Sequence, residues 1–206
     1  QTPDYFLPSS SCVIQDRLGL NTSVGAVDVN QGCSGYVYSL SLAKGLIAAG
    51  IAENILLITA DTYSKIINEN DTSVRTLFGD GATATIIATD CRQGFEIGDF
   101  LFGTDGSGAN NLIVPAGAFR NRHSADTSAL SIDNFGNNRT QEQLYMDGGQ
   151  VMIFGLSKVP SAINALLQKN NICVEDIDHF IFHQASLLII NKLSNKLKID
   201  RKKVPI

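Results

Sequence analysis

The segment from residue 34 to residue 49 constrains the fold most, because it is long enough for a helix and Lys44 is its only charge. A β-like run, 24–29, precedes it, and the continuous apolar run Asn54–Thr59 follows it. A helix without a polar face is typically buried, and a strand without alternation is typically covered on both faces. The order predicts a right-handed βαβ unit and therefore an α/β fold.

Cys33 lies in the turn between the first run and this helix, and we expect the helix to open at the cysteine. The first backbone N–H groups of a helix lack intrahelical partners, and the helix dipole is positive at that end. A thiolate is stabilised there, so Cys33 is a candidate nucleophile. The alternative is a small, inert, buried cysteine.

Composition excludes several other classes of protein. With 44% hydrophobic and 17% charged residues the chain is globular, and its net charge of −4 does not favour nucleic-acid binding. No run approaches the ~18–20 apolar residues of a membrane span, and we expect no signal peptide at the start of the chain. The scattered cysteines show neither CxxC nor zinc spacing, so we expect no metal site and a reduced, cytoplasmic protein. They are Cys12, Cys33, Cys91 and Cys173.

The remaining patterns predict short elements on either side of a polar joint, residues 103–145. Helices are expected over Val13–Leu18, Thr62–Asn70, Gln150–Leu167 and Leu187–Leu197, with a kink or break at Pro160 in the third. A turn or short helical segment is expected at 174–176. Strands are expected over Thr83–Thr89, Gly94–Phe102 and Asp178–Phe182. The glycines around Asp80 predict a sharp turn. His183 follows a predicted strand as Cys33 does, which suggests a pseudo-repeat in which the two side chains face each other.

Three motifs in this order resemble the β-ketoacyl-acyl-carrier-protein synthase III family of thiolase-like condensing enzymes. They are Asp-Val-Asn-Gln-Gly-Cys-Ser-Gly at 28–35, Leu-Phe-Gly-Asp-Gly-Ala at 77–82 and Phe-His-Gln-Ala at 182–185. The resemblance implies a thiolase-like fold of two pseudo-repeated halves, with helices layered between and outside mixed sheets. It divides the chain into residues 1–95 with the nucleophile, a connecting strand and loop at 96–145, and residues 146–206 with the catalytic histidine.

The resemblance also implies the chemistry. Cys33 would take an acyl group from acyl-CoA, and its backbone N–H would stabilise the acyl oxyanion. A malonyl group on the phosphopantetheine of acyl carrier protein would then lose carbon dioxide, with His183 donating a hydrogen bond to the enolate. No tightly bound cofactor is implied, and the expected assembly is a homodimer. Without the motif, His183 reads as a core or strand-end histidine. The same structural interpretation applies to His179, which lies earlier in the predicted strand, and to His123, which lies in the polar joint.

Binding residues carried over from the family are Met146, Gly148 and Gly149 in the pantetheine channel, with Ala185 and Ser186 beside the histidine. For the two glycines, a simple helix-start turn is the alternative. The chain departs from the family pattern at Thr72, where an arginine usually contacts CoA, at Ser186, usually asparagine, and at Leu188, usually a carrier-contacting arginine.

The chain also ends at Ile206, before the family's Asn-x-Gly-Asn motif, and it lacks the family's opening segment, so we interpret it as incomplete at both ends. Six basic residues near the end suggest a displaced carrier-docking patch or a solvated face. The other functions left open are a specialised secondary-metabolism condensing enzyme, an acyltransferase to oxygen or nitrogen on the same fold, and a non-catalytic fragment.

Overall fold

The computed structural model describes residues 1–90 and 94–206, so Cys91 lies outside the described residues. The chain divides into two compact units. Unit 1 consists of Gln1–Tyr63 and Asp80–Gly98, and unit 2 consists of Ser64–Gly79 and Asp99–Ile206. The division predicted at residues 95 and 145 stays a prediction.

Unit 1 is built on one long antiparallel hairpin. Strand β1, Asn54–Thr62, pairs along its whole length with strand β2, Asp80–Ala88. Helix α2, Gly35–Ala48, packs against both strands. Its Lys44, the only charge in the predicted helix, donates hydrogen bonds to the Ile97 and Gly98 carbonyl oxygens at 2.6 and 2.9 Å. The charge therefore tethers a neighbouring segment.

The predicted βαβ unit is wrong, because the run 24–29 is not a strand. A strand needs a neighbour for its backbone hydrogen bonds, and within residues 1–90 and 94–206 no segment pairs with this run. The expected burial is wrong as well: Ala43 is the only buried residue of α2. Strand β1 alternates between exposed and half-buried residues over much of its length, so it is not covered on both faces.

The segments around the hairpin also differ from prediction. β1 extends to Thr62 and a 3₁₀ turn follows at Tyr63–Lys65, so the helix predicted over Thr62–Asn70 is wrong. β2 already begins at Asp80, and a Cβ on Gly79 or Gly81 would meet no atom within 4 Å. The Gly-Asp-Gly run is therefore the start of a strand and not a sharp turn.

Helix α1, Ser10–Arg17, confirms the predicted first helix but begins three residues earlier. The reason is Asp28, whose carboxylate accepts hydrogen bonds from the backbone N–H groups of Ser10 and Ser11 at 2.7 and 2.8 Å. Burial would raise the pKa of Asp28, but the bonds from these serines outweigh it and lower the pKa. Gly19, at φ +61°, follows the helix end.

Unit 2 contains short strands and two longer helices. The elements in chain order are α3 Thr72–Arg75, β3 Leu112–Ile113, β4 Ser131–Ile132, β5 Asn138–Arg139, β6 Tyr145–Met146, α4 Gly148–Lys169 and α5 Leu187–Leu197. β3 pairs with β6 and β4 with β5, both antiparallel. 3₁₀ turns lie at Gly106–Asn111, Val174–Asp176 and Arg201–Lys203. The predicted polar joint is therefore an ordered, hydrogen-bonded region.

The predicted strands Gly94–Phe102 and Asp178–Phe182 are wrong, because no described segment forms a ladder with either. In each segment, two aromatic rings that are two residues apart in the chain lie together. The rings of Phe100 and Phe102 stack with centroids 5.7 Å apart, and those of Phe180 and Phe182 at 6.4 Å. Their apolar patterns thus reflect packing without strand pairing.

The core of unit 2 lies under α5, whose predicted bounds are confirmed. Its buried members include Ile190, Leu197 and Val204, and Ile163 of α4 packs against this cluster. Helix α4 runs through Pro160 without interruption, so the predicted break is wrong.

α4 is also long and apolar enough to cross a membrane by length and composition, which the sequence reading missed. Core helices of water-soluble proteins meet the same criterion, so this carries little weight as evidence of a span.

Candidate active site

Cys33 is exposed in a turn just before α2. The N–H of Gly35 donates to the Gly32 carbonyl oxygen at 2.7 Å, which closes the turn around the cysteine. The helix begins two residues after Cys33, and Ser34 occupies its N-cap without a capping side-chain bond. The predicted setting at a helix start is therefore close to the observed one, whereas the inert, buried alternative does not fit the exposure.

Tyr63 is a residue of this site that the sequence reading missed. Its hydroxyl donates to the Gln1 side-chain oxygen at 2.8 Å, and a Cβ on Gly32 would come within 2.8 Å of that same oxygen. Burial raises the pKa of Tyr63, with further contributions from the charges of Asp61 and Cys33. The Tyr63 phenol therefore stays protonated near the nucleophile. No local sequence motif identifies this tyrosine as a site residue.

His183 is exposed just before α5, in the irregular segment that follows Phe182. The Ala185 N–H donates to the His183 carbonyl oxygen at 2.8 Å, which forms the predicted turn. Ser186 is the N-cap of α5, and its hydroxyl accepts from the Ile189 N–H at 3.3 Å. The histidine and its two neighbours thus precede a helix N-terminus in unit 2.

The predicted pantetheine residues meet at the junction of β6 and α4. Met146 pairs with Leu112, and Asp147 caps α4 by accepting from the Gln150 N–H at 2.9 Å. A Cβ on Gly149 would lie 3.3 Å from the Asp147 carboxylate, tighter than ordinary contact. Glycine therefore has a local packing role at 149 in addition to any role toward a ligand.

The structure groups Met146 with the glycine pair, and His183 with Ala185 and Ser186, while Cys33 belongs to unit 1. The pairing of Cys33 with His183 stays a prediction. Within residues 1–90 and 94–206, no group of three His, Cys, Asp or Glu side chains has an arrangement that could hold a metal ion.

Comparison with known proteins finds a family whose models match the regions that contain these motifs. The family model for 3-oxoacyl-[acyl-carrier-protein] synthase III matches residues 27–106, and the model for its C-terminal domain matches residues 167–206. The first match contains Cys33 and the second contains His183. The chain belongs to the 3-oxoacyl-[acyl-carrier-protein] synthase III family.

Relatives extend the match over the whole chain. β-Ketoacyl-[acyl-carrier-protein] synthase III of Clostridioides difficile is 36% identical over 98% of this chain and 58% of its own length. A crystal structure of 3-oxoacyl-(acyl-carrier-protein) synthase III is 53% identical with a TM-score of 0.95, covering all of this chain and 61% of that one. The enzyme from Burkholderia xenovorans LB400 is 37% identical with a TM-score of 0.84, covering all of this chain and 57% of that one.

These likenesses confirm the predicted α/β, thiolase-like fold class. The chain spans about three-fifths of the length of the synthase III proteins it matches.

Two of the positions at which the sequence was expected to depart from the family pattern, Thr72 and Leu188, lie in unit 2. The N–H and hydroxyl of Thr72 both donate to the Asn137 side-chain oxygen, at 3.1 and 2.9 Å, so the hydroxyl proton is already committed. The nearby Arg75 donates to the Glu69 carbonyl oxygen at 2.6 Å. Leu188 is 57% exposed. Thr72 therefore makes an internal contact, and Leu188 is an exposed apolar side chain.

The basic cluster near residue 206 is partly engaged in structural contacts. Lys196 donates to the Leu156 carbonyl oxygen at 2.8 Å, and Lys203 donates to that of Glu175 at 2.8 Å. Arg201 donates to the Val204 carbonyl oxygen. Three of the cluster's six side chains thus serve the fold of unit 2, and its role in docking stays a prediction.

Proposed function

We propose that the protein catalyses decarboxylative condensation of an acyl-CoA with a malonyl group on acyl carrier protein, as a 3-oxoacyl-acyl-carrier-protein synthase III. The observation that carries this proposal is Cys33, an exposed thiol in a closed turn just before a helix, within the region that matches the family. An accessible thiol near a helix N-terminus suits acyl transfer through a thioester.

The first half-reaction is thioester exchange. The Cys33 thiolate attacks the acyl carbonyl carbon, and the backbone N–H of Cys33 stabilises the oxyanion that forms. The carbon–sulfur bond to coenzyme A then breaks, and coenzyme A leaves as its thiolate, which takes up a proton. The acyl group remains on Cys33.

The second half-reaction forms the carbon–carbon bond. The malonyl group loses carbon dioxide, and the electron pair of the broken bond passes into an enolate of the carrier thioester. His183 donates a hydrogen bond to the enolate oxygen as its charge develops. The enolate carbon attacks the acyl carbonyl, the Cys33 thiolate leaves, and a 3-oxoacyl thioester remains on the carrier.

The proposal extends to partners and place. The substrates are acyl-CoA and malonyl-phosphopantetheine on acyl carrier protein, without a tightly bound cofactor, and the working form is a cytoplasmic homodimer. Met146, Gly148 and Gly149 line the pantetheine path, with Ala185 and Ser186 beside the histidine. Support for the glycines comes from their position at a turn into a helix, where small residues allow a thin ligand to approach.

The proposal predicts acylation at a single cysteine. Incubation of the complete gene product with acetyl-CoA should add one acetyl group at Cys33, measured by intact mass and peptide mapping. Cys12 and Cys173 are also exposed and provide matched controls: Cys33→Ser should abolish the adduct, whereas Cys12→Ser and Cys173→Ser should retain it. Labelling spread evenly over the exposed thiols would contradict the proposal.

A second prediction concerns decarboxylation. His183→Ala should slow the release of carbon dioxide from malonyl-carrier protein by about 10²–10³-fold, the cost of losing one oxyanion donor, while acylation of Cys33 continues. His179, also exposed four residues earlier, is the matched control, and His179→Ala should retain the rate. Equal losses in both variants would remove His183 from the mechanism.

The expected departures from the family pattern at Thr72 and Leu188 favour a second candidate, the same condensation with an acyl donor other than a short acyl-CoA. Charge-assisted contacts to phosphate are lost where arginine is replaced. Acylation of Cys33 by an acyl-carrier protein, without acylation by acyl-CoA, would identify this candidate.

A further inference from the structure

Arg139 of β5 joins three parts of unit 2 through one guanidinium group. Its Nε donates to Asp71 at 2.6 Å, and its Nη2 donates to Asp133 at 2.8 Å. Its Cζ lies 5.3 Å from the centroid of the Tyr145 ring. The Arg139 side chain is 12% exposed and that of Asp71 is fully buried. The group is therefore held both by its edges and by its face.

Both carboxylates are fixed by their own segments. Asp71 also accepts from the N–H of Ser73, at 3.0 Å, and from its hydroxyl, which caps α3. Asp133 also accepts from the N–H groups of Phe135 and Asn137 at 2.9 and 3.0 Å, inside the β4–β5 hairpin. Because neither carboxylate can move with the cation, the two set the plane and position of the guanidinium.

Tyr145, whose ring lies against the guanidinium, is adjacent in the chain to the residues predicted to line the pantetheine channel, 146–149. Tyr145 precedes Met146 in the short strand β6. The next residue, Asp147, donates its N–H to the Asn111 carbonyl oxygen at 2.8 Å and caps α4, which begins with the two glycines. A tilt of the Tyr145 ring would therefore be passed to residues 146–149 within one strand and one helix cap.

Stability alone is a weak reason for such a cluster, since buried ion pairs often contribute little compared with apolar packing of the same volume. Their clearer use is to fix geometry, and the planar fork of arginine does this where lysine does not. We infer that Arg139 is a positioning residue, which orients Tyr145 and so holds residues 146–149 in place for the pantetheine arm of the substrate. This inference rests on the proposed condensing function.

The test is the kinetics of Arg139→Lys in the complete gene product, with malonyl-acyl carrier protein as the varied substrate. Lysine keeps the charge but loses the fork, so KM should rise about tenfold while kcat, per acylatable Cys33, stays within about twofold. Arg122 is a matched control, because its Cζ lies 5.6 Å from the Phe119 ring on an exposed loop. Arg122→Lys should leave both parameters unchanged.

Tyr145→Leu provides a second variant that removes the ring and keeps both ion pairs, and its KM should rise likewise. A loss of kcat/KM carried by KM in either variant supports the positioning role. A loss carried by kcat, or no loss in both variants, overturns it, since a merely structural role would reduce the amount of active enzyme and leave KM alone. Wild-type acylation of Cys33 separates the two ideas: if it is absent the proposed function fails, and if it is present only this inference is at stake.

Discussion

Asp71 is ionised in a position where burial should favour its neutral form. Burial raises the pKa of this carboxyl, but the hydrogen bonds from Arg139 and Ser73 outweigh it and hold the pKa below its ordinary value. The partner responds in the opposite sense: burial would lower the pKa of Arg139, and its two carboxylates raise it. A single proton on Asp71 would therefore weaken the contact that fixes the guanidinium.

The ionisation of Asp71 predicts a pH-dependent stability. Asp71→Asn should lower the free energy of unfolding of the complete gene product at pH 7 by about 2 kcal/mol, the usual value of a hydrogen bond to a charged group. Because the folded-state pKa is lowered, the contribution is complete above the unfolded pKa of about 4 and is lost as pH falls below it. Urea unfolding should thus show a smaller difference between wild type and variant at about pH 3 than at pH 7.

Asp126, which is exposed in the same polar region, serves as the control for this measurement. Asp126→Asn should leave stability nearly unchanged at both pH values. If Asp71→Asn lowered the free energy of unfolding equally at pH 3 and pH 7, the ion pair with Arg139 would not be the source of the stabilisation by Asp71.

Among the secondary-structure elements, α4 shows how a proline is accommodated inside a helix. Pro160 has no N–H, so the carbonyl oxygen of Leu156, four residues earlier, loses its helical partner. Lys196 of α5 donates its Nζ to that oxygen at 2.8 Å. The lysine thus replaces the missing backbone donor and links the two helices.

This replacement predicts a coupling between Lys196 and Pro160. Lys196→Met should destabilise the protein by about 1 kcal/mol, because it leaves the Leu156 carbonyl without its donor. In a Pro160→Ala background the new N–H can bond to Leu156, so the cost of Lys196→Met should fall toward zero. A double-mutant cycle by urea denaturation measures the coupling. The control is Lys192→Met, at an exposed position of α5. If the destabilisation by Lys196→Met and that by Pro160→Ala simply add in the double variant, the coupling is contradicted.

The sequence predicted helices better than strands for a physical reason. α2 and α5 form hydrogen bonds within themselves, so local pattern was enough to place them nearly at their observed bounds. A strand requires a second segment, and the runs at 24–29 and 178–182 have none among the described residues. The same limit concealed Tyr63 and Arg139, whose partners lie far away in the chain.

At the scale of the whole molecule, the order of the three motifs identified the family better than any predicted helix or strand did. Three short motifs predicted the family that the comparisons show, although the βαβ unit used to explain Cys33 was wrong. The reason is that chemistry fixes residue types at the turn around Cys33, whereas pairing of the surrounding chain depends on segments that the motifs do not describe.

The assignment of Ser64–Gly79 to unit 2 has a consequence for folding. This segment connects β1 to β2, yet its Asp71 pairs with Arg139, 68 residues later. During synthesis the ribosome delivers the carboxylate long before the guanidinium, so Asp71 remains hydrated while the hairpin of unit 1 can already form. Contacts with such long sequence separation have a high loop-closure cost. We therefore expect the connection to reach its final order late, once the chain beyond Arg139 has emerged.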